Sequence, residues 1–343
     1  MSSPAPVNDA ELAELLSRPS DADQAALDRL AGDILVLGAG GKMGPSLARL
    51  AYRASESAGT HRRIIAASRF RTGGVAAALA AVGVEPIPCD LLEQGTFERL
   101  PDAPNVVLMV GQKFGADRAP ETTWATNVLV PALAVERFGS SRIVAFSTGN
   151  VYPLMPVTGM GATEETPLDP IGDYAQSAAA RERVLGFLSR REGTPMAILR
   201  LSYAVELRYG VLRDLADRVW RDEPIDLSMG YVNVIWQRDA CSIALRALAE
   251  CVVPPYVVNV TGPQTLSVRE LAAGLGRRLG KEPEFTGEES DSALLSDASL
   301  CVRRFGAPSV GVETLLDWTA DWVRRGGTSL GKPTHFERRD GRF

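Results

Sequence analysis

Apolar residues along this chain fall into two patterns. Short unbroken runs, Ile34-Leu35-Val36-Leu37, Ile64-Ile65-Ala66-Ala67, Val106-Val107-Leu108-Met109-Val110 and Ile143-Val144-Ala145-Phe146, alternate with longer stretches in which apolar residues return every three or four positions. An unbroken run of this length reads as a strand buried on both faces, and the wider spacing reads as an amphipathic helix. The runs predict strands at 34–37, 63–71, 84–91, 105–111 and 142–148. The spaced stretches predict helices at 44–57, 74–82, 124–138 and 174–188. Strand and helix in alternation predict an α/β fold, a doubly wound parallel sheet with helices on both faces. Two further helical patterns precede the first strand, near 9–16 and after Ser20, where Asp23 stands at the spacing of a cap. Leu27, Leu30 and Ile34 are expected to face inward and pack this extension on the core.

The first strand runs into Gly38-Ala39-Gly40-Gly41-Lys42-Met43-Gly44, and Pro45-Ser46-Leu47-Ala48 then opens a helix. Strand, tight glycine turn and helix form a cradle for a dinucleotide pyrophosphate. Backbone N–H groups and the positive helix end face the anion, and glycines let the backbone approach it. Gly38, Gly40, Gly41, Lys42, Met43 and Gly44 are the candidate contacts, with Val110 and Gly111 at the end of the fourth strand. At the end of the second strand this arrangement commonly carries an acid for the adenosine ribose hydroxyls. Ser68, Arg69 and Arg71 stand there instead. A guanidinium makes bidentate bonds to a phosphate, which favours NADP and leaves NAD as the other choice. A solvated basic loop would carry the same arginines.

Composition narrows the partners more than the fold. The 343 residues are 45% hydrophobic, enough for one large α/β unit or two modest domains. Net charge is −5 and the pI is about 5.4; no basic stripe is interleaved with aromatics, so nucleic acid is not an expected partner. No apolar run is long enough to span a membrane, and Met1-Ser2-Ser3-Pro4 lacks the basic-then-apolar pattern of a secretory signal; a cytoplasmic protein is expected. Cys89, Cys241, Cys251 and Cys301 form no CxxC pair and read as buried reduced thiols. With His61 and His335 the only histidines, neither a histidine-centred triad nor a metal site is expected.

From about Ile34 to Arg325 the residues resemble the extended short-chain dehydrogenase/reductases, the NAD(P)-dependent epimerase/dehydratase family. The glycine turn fits. Asp90-Leu91 fits the family's acidic residue near the adenine, and Asn127 fits its helix asparagine. Ser147-Thr148-Gly149-Asn150-Val151-Tyr152 resembles its hydroxyl-bearing strand end, and Glu165-Thr166-Pro167 precedes Asp173-Tyr174 as it does there. Ile198-Leu199-Arg200, Gln237-Arg238-Asp239-Ala240 and Val258-Asn259-Val260-Thr261-Gly262 resemble later landmarks. The helical patterns before the first strand predict an N-terminal extension over 1–31, and the charged residues after Leu330 a polar tail over 331–343; between them the resemblance implies a Rossmann domain over 32–200 and a smaller substrate-binding domain mainly within 201–330 with return segments to the core. It also implies a homodimer built from the helices at 124–138 and 174–188, where Ala175, Ala178, Ala179 and Ala180 permit close packing, and packing within the chain would use the same alanines.

The family's mechanism uses a tyrosine as acid/base, a Ser/Thr that hydrogen-bonds the reacting oxygen, and a lysine four residues after the tyrosine. The resemblance gives these roles to Tyr174 and Thr148 and leaves Ala178 at the lysine position. A free tyrosine has a pKa of roughly 10, and a nearby ammonium lowers it, so the departure bears on mechanism. Arg181 follows Tyr174 by two helical turns and reads as too distant to substitute. Lys113, directly after the fourth strand where ligands approach such sheets, is the better candidate; sugar-nucleotide 4-epimerases of the family carry a lysine at a similar offset. An exposed loop lysine is the ordinary alternative.

Gln112, Asn150, Arg200, Tyr203, Trp236 and Arg238 are candidate contacts for a hydroxylated or carboxylated small substrate. Structural salt bridges explain each arginine equally well. Two readings of function follow. In the first, an NAD(P)-dependent oxidoreductase or epimerase acts on a carbinol carbon of a sugar or sugar acid by hydride transfer, with Thr148 and Tyr174 at the reacting oxygen. In the second, motivated by the missing lysine, the chain is a sensor or regulatory protein that binds NAD(P) without redox turnover. A lyase or isomerase using the cofactor transiently is inseparable from the first. For the polar tail, disorder, wrapping of a neighbour and approach to the active site are equally open.

Overall fold

In a computed structural model that describes residues 4–342, seven parallel strands carry the architecture. They are β1 (Ile34–Leu37), β2 (Ile64–Ser68), β3 (Glu85–Pro88), β4 (Asn105–Leu108), β5 (Arg142–Thr148), β6 (Met196–Leu201) and β7 (Tyr256–Val260). Their spatial order is β7-β6-β5-β4-β1-β2-β3. The chain runs outward from β1 to β3 and then crosses back to β4 on the other side of β1. That reversal leaves a crevice beyond the C-terminal ends of β1 and β4, the place where open parallel sheets hold ligands.

The unbroken apolar runs become the sheet because each face is covered. Val36, Val107, Val144 and Leu199 meet Leu47, Leu50 and Ile243 on one side. Leu35, Leu37, Val106, Leu108 and Ile143 meet Val130, Val135, Leu185 and Leu188 on the other. A further core joins helices Val211–Trp220, Val268–Leu279 and Val312–Arg324, and Leu12 and Leu16 of the N-terminal helix Asp9–Leu16 enter it. Helix Asp21–Asp28 opens on a capping box between Ser20 and Asp23. Leu27, Leu30 and Ile34 are buried as expected. Residues 1–3 of the expected extension and residue 343 of the expected tail lie outside the described residues.

The strands expected at 63–71, 84–91 and 105–111 are shorter, at 64–68, 85–88 and 105–108. Strand β3 holds Pro86 and Pro88, which lack the N–H a central strand needs, and it sits at the sheet edge where proline is tolerated. The helix expected at 124–138 is three pieces: Pro120–Trp124, a π-turn Ala125–Leu129, and Val130–Arg137. Pro131 has no N–H to donate to the carbonyl four residues back, that of Asn127, and the helix widens there. The long helix Gly172–Glu192 ends on Gly193, whose positive φ of 71° is the usual left-handed stop. Among the described residues no helix is long and apolar enough to cross a membrane. All four cysteines are free thiols.

Candidate active site

A cleft of about 1040 Å³ occupies the crevice. The glycine turn forms one wall, Val110 and Gly111 follow β4 into it, and Thr148 and Asn150 follow β5. Tyr174 and Arg181 project from helix Gly172–Glu192, and Tyr203, Tyr209 and residues 330–335 close the far side.

The glycines of the turn divide into two kinds. Gly38 has a φ of +88°, and a Cβ there would stand 2.9 Å from the Val110 nitrogen. A Cβ on Gly40 would stand 2.7 Å from Ser68 Oγ, and one on Gly44 would collide with the Ala39 carbonyl. These three let strand, turn and helix pack. Gly41 is different: its φ is not positive and the nearest atom to its Cβ would be the Gly38 oxygen at 3.4 Å. The fold leaves Gly41 open toward the cleft. Helix Gly44–Ser57 starts beside it with no side chain capping its first N–H groups. Open backbone, uncapped donors and the positive helix end fit a dinucleotide pyrophosphate.

Across the cleft, Asn127 ties two walls together. Its Oδ1 accepts from the Gln112 backbone N–H at 2.8 Å, and its Nδ2 donates to the Gln112 carbonyl at 3.1 Å and to Ser177 Oγ at 2.9 Å. Ser177 Oγ in turn donates to the Tyr174 carbonyl at 2.9 Å. The π-turn thus fixes the first turn of the helix that carries Tyr174 against the end of β4. Thr148 Oγ1 donates to Asn150 Oδ1 at 3.0 Å and accepts from the Asn150 N–H at 3.2 Å.

Arg181, expected to lie too far from Tyr174 to substitute for the lysine, reaches the cleft. Helical side chains lean toward the N-terminus, and a long one spans more than a turn. Its Nη1 donates to the Phe146 carbonyl at 2.8 Å and to the Val110 carbonyl at 3.1 Å, bridging the ends of β4 and β5 on the cleft floor. Burial pulls its pKa below the ordinary arginine value, and the facing Tyr174 and Glu182 oppose that. Ala178, by contrast, is fully buried beside Val151, Tyr152 and Ala162. Lys113 Nζ donates to the Thr334 carbonyl at 3.3 Å; burial lowers its pKa to about 8, against the pull of Glu337 and Asp214.

Four expected substrate contacts, Gln112, Arg200, Trp236 and Arg238, do not line this cleft. Arg200 is buried and paired with Glu182 at 2.7 Å, donates to Tyr152 Oη at 2.6 Å and to the Glu164 carbonyl at 3.2 Å. Trp236 is buried edge-on against Trp318, with ring centroids 5.6 Å apart. Arg238 is paired with Asp23 at 2.5 Å and donates to the Arg18 carbonyl, holding the N-terminal helices on the core. Gln112 contributes its backbone to the Asn127 clasp. Asn150 and Tyr203 do line the cleft, as do Lys42 and Met43.

At the second-strand end, Ser68 abuts Gly40 and Arg69 faces Asp90 at 3.8 Å, both half-exposed; Arg71 is exposed and Leu91 is buried in the core. Sequence reading missed Arg49 and Tyr209, and left open the course of the tail, whose residues 331–335 line the cleft with them. The one local signal for Arg49 is its place on the first helix, one turn after the glycines.

The model of the NAD dependent epimerase/dehydratase family matches residues 34–206, half of the chain. The chain belongs to the NAD dependent epimerase/dehydratase family, a family of enzymes. No curated protein matches it. Among solved structures it is similar to the UDP-glucuronic acid 4-epimerase of Bacillus cereus in complex with UDP-glucuronic acid and NAD, at 17% identity and a TM-score of 0.73, over 85% of this chain and 99% of that one. It is also similar to the UDP-glucose 4-epimerase of Thermus thermophilus in complex with NAD, at 22% identity and a TM-score of 0.70, over 85% and 99%. A dTDP-glucose 4,6-dehydratase of Streptomyces venezuelae with NAD bound gives 20% identity and a TM-score of 0.72, over 85% and 97%. At these identities the likeness is one of fold.

Proposed function

We propose that the chain is an NAD(P)-dependent oxidoreductase or epimerase that works by hydride transfer at a carbinol carbon of a sugar or sugar acid. The observation that carries this reading is a single cleft shared by the open Gly41 cradle and by Thr148, Tyr174 and Arg181. A bound nicotinamide would supply or accept the hydride. Thr148 Oγ1 turns from Asn150 to the reacting oxygen, and the Tyr174 hydroxyl moves its proton. Asn127 and Ser177 hold the turn bearing Tyr174, while Arg181 and Lys113 place positive charge at the polar end of the cleft. Residues 32–200 take the cofactor and 201–330 select the substrate. Hydroxyls, amides and tyrosine rings suit a sugar, and the related epimerases and dehydratase are named for nucleotide sugars. The test is to add NADP and NAD with a panel of sugars, sugar acids and sugar nucleotides and follow the absorbance of the reduced cofactor. Net reduction of the cofactor, or epimerisation of a panel member read by NMR of the sugar with the cofactor returned oxidised, supports the reading. Bound cofactor with neither reduction nor conversion of any member favours the sensor alternative.

For the cofactor we propose NADP, because the end of β2 carries Ser68 and Arg69 where an acid would read the ribose. NADPH is expected to bind more tightly than NADH by about tenfold or more, ~1.4 kcal/mol. Joint replacement Arg69→Ala with Arg71→Ala is expected to remove that preference in a fluorescence titration. Equal affinities in the unaltered protein would assign NAD instead.

We propose a homodimer through the helical stretch 120–137 and helix Gly172–Glu192, which leave Trp124, Leu129 and Phe187 exposed, Phe187 by 60%. Leu129→Asp with Phe187→Glu is expected to yield monomers in sedimentation velocity. A dimer surviving both changes places the interface elsewhere. Free thiols at all four cysteines suit a reducing, cytoplasmic setting.

A further inference from the structure

Three lysines from separate parts of the chain meet on the wall of the cleft: Lys42 in the glycine turn, Lys113 after β4, and Lys332 near the C-terminus. Lys42 Nζ stands 3.3 Å from the centroid of the Tyr209 ring and 4.4 Å from that of Phe114. Burial lowers its pKa to about 7, and the ammonium groups of Lys113 and Lys332 push the same way while Asp214 opposes. Asp214 and Glu337 on this side attract Lys113, and each also has other partners. Asp214 Oδ2 accepts from the Thr334 N–H at 2.7 Å and from its hydroxyl at 2.6 Å. Glu337 faces Arg218 at 3.7 Å and His335 at 3.9 Å.

The segment carrying Lys332 is anchored at both ends. The Leu330 N–H donates to the Arg208 carbonyl at 3.1 Å, and Phe336 is buried in the C-terminal core. Arg339 donates to the Ser292 carbonyl at 2.6 Å and to that of Ser228 at 3.1 Å. The tail therefore approaches the active site of its own chain, one of the three courses open to it in the sequence. Like charges gathered in a partly dry cleft repel one another, and an anionic ligand relieves that repulsion through charge-assisted hydrogen bonds.

We propose that Lys42, Lys113 and Lys332 form a recognition site for an anionic group on the substrate, a carboxylate or a phosphate ester. The inference rests on the hydride-transfer reading for calling the ligand a substrate. The C-terminal segment is then part of the substrate site, supplying Lys332 and holding Lys113 through the Thr334 carbonyl.

The test uses the full chain with its lysines reductively 13C-methylated, with the signals of Lys42 and Lys113 assigned through Lys→Arg variants. Glucuronate, glucose 6-phosphate and neutral methyl glucoside are titrated in the presence and absence of NADP. The expected result is a saturable shift of both signals with glucuronate, glucose 6-phosphate or both, and none with methyl glucoside. Response to one anion alone identifies carboxylate or phosphate as the group. Lys332→Ala is expected to weaken the anion's apparent Kd about tenfold or more, ~1.4 kcal/mol, and to leave NADP affinity unchanged. Equal shifts with the neutral sugar, no shift with either anion, or an unchanged Kd in Lys332→Ala overturns the proposal. So does NADP alone producing the shift and abolishing the anion's, because the lysines then serve the cofactor phosphates. Failure of both NADP and NAD to bind while the anion shifts persist overturns the hydride-transfer reading and leaves the anion site standing.

Discussion

Tyr174→Phe is expected to lower turnover about 10²- to 10⁴-fold, the range a positioned proton carrier contributes. The change removes one oxygen and keeps the ring. The clasp that positions this turn runs through the Tyr174 backbone carbonyl, Ser177 and Asn127, so it survives the substitution. Cofactor affinity and KM are accordingly expected to stay within about twofold, because the loss falls on the transition state alone. The measurement is steady-state kinetics on the substrate that reduces the cofactor best. Turnover that survives in Tyr174→Phe would move the proton-carrying role to another group of the cleft.

Arg200→Met is expected to destabilise the fold by about 3–5 kcal/mol, the cost of leaving one partner of a buried ion pair uncompensated. Glu182 would retain only the Ser147 hydroxyl, at 2.5 Å, in a site that excludes water. Tyr152 would lose a donor and keep its bond to Asn259 Oδ1 at 2.7 Å. Burial already holds the Tyr152 phenol up to about 12, so it offers no anion to the vacated place. Glu182→Leu combined with Arg200→Met removes both charges and is expected to recover most of the loss. Urea denaturation of the single and double variants checks this. A loss under about 1 kcal/mol in the single variant would show the pair to be solvated, as surface pairs are.

The sequence is most informative where structure is local. The glycine turn, the strand runs and the Ser20 cap are each written within a few consecutive residues, and each folds as its spacing dictates. Arg200 illustrates the opposite case. Its partners Glu182 and Tyr152 lie 18 and 48 residues away, so a polar residue near the end of a buried strand reads the same whether it meets substrate or a buried acid. Spacing does not show the partners of Arg181 because it counts backbone positions, whereas a guanidinium reaches back along its helix to the Val110 and Phe146 carbonyls. The C-terminal segment has no periodicity to read. Its course is set by Arg208, Asp214 and Ser292, residues distant in sequence that the fold brings beside the cleft.

The most direct measurement titrates the unaltered protein and Gly41→Asp with NADP and NAD by calorimetry, after confirming that both melt at the same temperature. Gly41 has room for a side chain and no strained φ, so the variant is expected to fold, while its carboxylate stands where the pyrophosphate is to lie. The account predicts saturable binding of a dinucleotide to the unaltered protein and a loss of affinity of about 100-fold or more in Gly41→Asp, ~2.7 kcal/mol. Undiminished binding in Gly41→Asp, or no binding of either dinucleotide to the unaltered protein, would contradict it.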